Sequence, residues 1–132
     1  MKYILMMNAT KEAFDWYSKW PREDLQKNIA FMRNFNKELK DAGVLVATEG
    51  LAWPNEAKIV RAASDGSPIV TDGPFPEAKE FLAGYWIVDV ESAAEAYKIA
   101  ARASLAPAPP GVTETMPLEV RQVLSSAPEE FL

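Results

Sequence analysis

The sequence predicts a mixed α+β domain with the split β-α-β, ferredoxin-like arrangement. Three observations predict it: short branched and aromatic runs of strand type, two segments whose apolar residues recur at helical spacing, and a turn-centred hairpin between the two β-α-β halves. With 132 residues the chain has the length of one domain. Its composition, 48% hydrophobic with 25% charged and 11% aromatic residues, is that of a folded globular protein.

Residues 2–7 form an apolar run suited to a first strand. Residues 8–18 then read as a connection carrying Phe14, Trp16 and Tyr17. Over 21–42 the spacing predicts a helix, because Leu25, Ile29, Met32, Phe35 and Leu39 fall three or four residues apart. Pro21 suits its first turn and Gly43 its C-terminal cap. Residues 44–48 are apolar and β-branched, a second strand. Residues 57–62 and 68–71 predict the two arms of a hairpin about Asp65-Gly66, with Pro68 at a strand start.

The polar segment 77–82 predicts a helical turn, and 84–90 a strong strand. Ser92 with Glu95 makes a capping box for a helix through Ala103, whose Ala96, Ile99, Ala100 and Ala103 offer a slim packing face. Residues 105–117 hold four prolines and Gly111 and read as an irregular loop within a single domain spanning 1–132. Residues 118–123 supply the last strand, and 125–132 a short tail.

Composition also excludes chemistry. The chain contains neither Cys nor His, which removes thiol nucleophiles, disulfides, Cys-His zinc sites and imidazole acid/base catalysis. Nothing in it points to a metal or a cofactor. The net charge of −5 argues against nucleic-acid binding. No apolar run has the length of a membrane span and the start lacks a signal-peptide pattern, so cytoplasmic residence is expected.

The strands do not alternate apolar with polar. Ile4 and Met6 oppose Tyr3, Leu5 and Met7; Tyr85 and Ile87 oppose Trp86 and Val88; Val44 and Val46 oppose Leu45 and Ala47. Helices cover one face of such a sheet, so an apolar second face predicts a second copy packed against it about a two-fold axis, the alternative being that the aromatic connection from Phe14 to Trp20 or the C-terminal tail folds over it.

The run Val70-Thr71-Asp72-Gly73-Pro74-Phe75, followed by Glu77-Ala78-Lys79-Glu80 and Gly84-Tyr85-Trp86-Ile87-Val88-Asp89-Val90, resembles the core signature of YCII-related proteins of the DGPF-domain type. The opening Lys2-Tyr3-Ile4-Leu5 and the close Pro117-Leu118-Glu119-Val120-Arg121 extend the resemblance over most of the chain. It implies a dimeric α+β barrel of ferredoxin-like subunits. It also implies either an Asp-His chemistry, for which this chain has no His, or a regulatory role beside alternative sigma-factor systems.

Asp72 is read first as a turn-former accepting backbone N–H bonds beside a Gly73 of unusual dihedral, and second as a general acid or base whose pKa burial raises. Glu77, Lys79 and Glu80 read as a solvated face, with Lys79 the alternative anchor for an anionic ligand. Arg61 suits either a ligand carboxylate, if it faces a barrel interior, or an inter-subunit ion pair with Glu49 or Glu119. Trp53, Tyr85 and Trp86 are core or interface residues first and ligand platforms second. Two function classes follow. One is a small-molecule site in a dimer cleft, with or without proton transfer of the isomerase, hydrolase or cofactor-free oxygenase kind; the other is a non-enzymatic regulatory or interaction module.

Overall fold

The computed structural model describes residues 1–112 and 114–124, so the tail expected at 125–132 lies outside the described residues. Its element order is β1 (Lys2–Thr10), α1 (Lys11–Tyr17), α2 (Arg22–Asp41), β2 (Leu45–Gly50), β3 (Lys58–Ala62), β4 (Pro68–Asp72), β5 (Glu80–Asp89), α3 (Ala93–Ala103) and β6 (Glu119–Gln122). The main sheet runs β2-β5-β1-β6 with every neighbour antiparallel, while β3 and β4 pair only with each other. This is the ferredoxin-like α+β arrangement. The sheet of the single chain is open and does not close into a barrel.

The core lies between α2, α3 and one face of the sheet. Leu5 and Val88 are fully buried beside Tyr3 and Trp86, and Phe35 and Leu39 of α2 close over them. The predicted small-residue face of α3 is the one that buries, with Ala96 and Ala103 wholly covered. Ser92 caps α3, its Oγ accepting from the Glu95 amide at 3.3 Å; the Glu95 carboxylate accepts from the Glu91 amide at 3.0 Å. Pro21 occupies the N-cap of α2, and Gly43 follows its end at φ 74°. Trp86 donates its indole N–H to Asn36 Oδ1 at 2.6 Å, tying β5 to α2.

Three expectations are corrected. The connection at 8–18 continues β1 to Thr10 and then forms α1, whose first turn is capped by Thr10 Oγ1 accepting from Ala13 N at 3.2 Å. The helical turn expected at 77–82 is absent, because β5 starts at Glu80 and pairs Glu80 with Thr10, Phe81 with Ala9 and Leu82 with Asn8. The register shift across Val46 sets Leu45 beside Val88 but Ala47 beside Ile87, so Leu45 and Ala47 lie on opposite faces.

On the face away from the core, Ile4 pairs with Ile87 and Met6 with Tyr85. All four are half-buried, and none belongs to the core cluster. The β3–β4 hairpin is more exposed still, with Val60 at 61% and Val70 at 56% of full exposure. Among the described residues, no helix is long and apolar enough to cross a membrane.

Candidate functional site

Two connecting segments define an open groove. Residues 51–57 leave β2 and pass through a 3-10 turn at Pro54–Glu56 into β3; residues 73–79 return from β4 to β5. Between them and the start of β5 lies an open groove of about 450 Å³. Its walls are mostly apolar, with Trp53 on one side, Pro74 and Phe75 on the other, and Phe81 and Leu82 of β5 between. Such concave apolar walls with a few polar groups are the usual setting of a small-molecule site.

Local geometry explains why these residues meet. Leu51 N donates to Ala83 O at 2.8 Å, which carries the β2–β5 pairing to the groove edge. Gly73 N donates to Ala57 O at 2.9 Å, joining the two segments directly. A Cβ on Gly73 would stand 3.1 Å from that same carbonyl oxygen and 3.3 Å from Ile59 Cγ1, so a side chain here would crowd the backbone of residue 57. The expected unusual dihedral is not found, since Gly73 is not among the positive-φ glycines. The Gly73–Pro74 peptide is cis, and Ala78 N donates to Phe75 O at 3.1 Å in the turn that follows. Behind the groove, Trp53 lies edge-on to Phe14 at 5.8 Å and tilted against Tyr17 at 6.2 Å, centroid to centroid.

The residues singled out from sequence do not converge. Asp72 ends β4 with its side chain 91% exposed, and it accepts from Lys58 Nζ at 2.6 Å across the hairpin. The Lys58 hydrogen bond, followed by the Lys58 charge, holds its carboxyl below the ordinary value, opposite to the shift a general acid needs. Its partner is thus a lysine, where backbone amides were expected. Arg61 stands exposed on β3 opposite Ile69, and within the chain Glu119 accepts from Asn8 Nδ2 at 3.0 Å. Lys79 is exposed in the connection before β5, and Tyr85 lies on the outer sheet face beside Met6 and Glu49. Of the candidate catalytic and ligand-binding residues, Trp53 is the one that lines the groove.

Sequence reading missed Glu56, Glu80, Phe81 and Leu82 as groove residues. The available signal was the unbroken run Phe81-Leu82-Ala83 into the Gly84 strand, which extends β5 back past the polar segment. Among the described residues, no group of three or more Asp or Glu side chains is placed to hold a metal ion.

Comparison with known proteins fits this picture. The family model described as the YCII-related domain matches residues 1–120, from β1 through the beginning of β6. The chain belongs to the YCII-related family. A relative of this YCII-related protein, an uncharacterized protein of Rhizobium meliloti (strain 1021), is 33% identical over 101 residues, covering 76% of this chain and 81% of its own. The family match takes in both segments that build the groove and the strand that floors it.

Proposed function

We propose that this YCII-related protein binds a small, largely apolar organic molecule in the groove between Trp53 and Phe75, working as one half of a two-fold dimer. The groove itself carries the reading: about 450 Å³ of open space, walled by aromatic and aliphatic side chains where the Asp72-Gly73-Pro74-Phe75 segment meets β5. Phe75 supports it further, being 56% exposed beside that space. Asp72 lies outside the groove and is held ionised, so proton transfer to or from a bound molecule falls to Glu56 or Glu80, the carboxylates that do line it.

The dimer is supported by Ile4, Met6, Tyr85 and Ile87 on the outer sheet face and by the exposed apolar hairpin. Isologous packing of two such faces would cover them. The same hairpin favours a second reading, a regulatory module that contacts another protein through Val60, Ile69 and Val70.

A library of aromatic and aliphatic fragments, followed by ligand-observed NMR, tests the binding reading. Hits are expected with the wild-type chain and should be lost in Phe75→Ser, whose unfolding midpoint stays close to wild type because that ring is exposed. Hits that bind the variant equally well, or no hits, would count against the groove.

A further inference from the structure

We infer that the groove selects organic cations, an apolar body bearing an ammonium group, over anions. The inference rests on the small-molecule reading above and specifies its ligand class. Two charged residues line the space, Glu56 from the 3-10 turn and Glu80 from the start of β5. Neither carboxylate is in an ion pair among the described residues. No Lys or Arg lines the groove. The nearest basic residues in sequence are accounted for: Lys58 is held by Asp72, and Lys79, between the lining residues Ala78 and Glu80, does not itself line the space.

Sign and surface then act together. Trp53, Phe75 and Phe81 line the space, aromatic rings attract a cation over their faces, and two carboxylates without an ion-pair partner add to the same field. A carboxylate ligand entering the groove would meet like charge twice and find no basic partner there. An organic cation is opposite in charge to the anion that Arg61 or Lys79 would anchor, and neither of those residues lines this groove.

Three probes with one apolar body separate the possibilities: 2-naphthylethylamine, 2-naphthylethanol and 2-naphthylacetate, titrated into the full chain while backbone amide shifts are followed. The amine is expected to move amides of 51–57 and 75–82 and to bind about tenfold more tightly than the alcohol, with the acetate weakest. In the Glu56→Gln/Glu80→Gln double variant the amine should lose most of its advantage over the alcohol, while the alcohol is unchanged. If alcohol and amine bind equally, or the acetate binds best, the cation preference is overturned and the groove reading stands. If none of the three moves those amides, both fall. Phe75→Ser halving the solution mass, with no probe bound, would mean that a second copy fills the groove and would overturn both as well.

Discussion

Lys58 Nζ lies 2.6 Å from Asp72 Oδ1 across the foot of the β3–β4 hairpin, and the pair fixes the charge of the residue that opens the Asp72-Gly73-Pro74-Phe75 segment. The folded-state pKa of Asp72 is lowered, so its stabilising contribution is present above the unfolded carboxylate value of about 4 and is lost as pH falls through the lower folded value. Carboxyl carbon shifts followed by NMR should titrate Asp72 below an ordinary aspartate. In Lys58→Gln the midpoint should return to the ordinary range. With the side chain so exposed, the effect on overall stability is small and salt-sensitive, and Asp72→Asn should leave the unfolding midpoint nearly unchanged. A raised midpoint for Asp72 would restore it as a general acid.

Asn36→Ala leaves the indole N–H of the buried Trp86 without its partner. An unfolding free energy lower by about 1–3 kcal/mol is expected from denaturant titration. A change no larger than that of an exposed helix substitution such as Lys37→Ala would show that the bond contributes little.

Ala103 of α3 is fully buried against the core. Ala103→Leu inserts three carbons into packed space and should destabilise by about 1–3 kcal/mol, whereas the same change at the exposed Ala101 should be neutral. Equal effects at the two positions would contradict the packing face assigned to α3.

Gly73→Ala places a methyl 3.1 Å from the Ala57 carbonyl, which is backbone and yields only if the hairpin foot shifts. A loss of about 1 kcal/mol is expected, with amide shifts confined to residues around 57 and 73. Unchanged stability and spectra would remove close approach as the reason for glycine.

The fold was readable because its signals are local and periodic. The three-and-four spacing of Leu25 through Leu39 and the Ser92–Glu95 cap need only neighbours in sequence to be recognised. The start of β5 was only partly legible, since the run Phe81-Leu82-Ala83 signals strand while Glu80 and the polar residues before it suggest a turn. Glu80 to Leu82 are extended by pairing with Thr10, Ala9 and Asn8, partners some seventy positions away, and a polar start masks that pairing in the sequence. Likewise α1 is seven residues long, too short for its periodicity to stand out from an aromatic-rich connection.

The site was less legible than the fold. Asp72 attracts notice because it opens a distinctive segment, yet chemistry depends on surroundings, and only the folded chain shows Lys58 beside it. Glu56 and Glu80 are unremarkable charges in sequence. They acquire meaning from the shared groove, which the Gly73–Ala57 contact creates by bringing residues 51–57 against 73–79.

The proposed dimer makes a simple mass prediction. Light scattering at micromolar concentration should give twice the chain mass of 14.6 kDa, and Met6→Asp, on the outer sheet face, should lower it toward one chain without loss of helix content. A wild-type mass of one chain would count against the dimer.

The most direct test of ligand binding is a crystal structure of the chain with its best-binding fragment. Density is predicted between Trp53 and Phe75, in contact with Phe81. Density on the outer sheet face beside Tyr85, with the groove empty, would contradict the account.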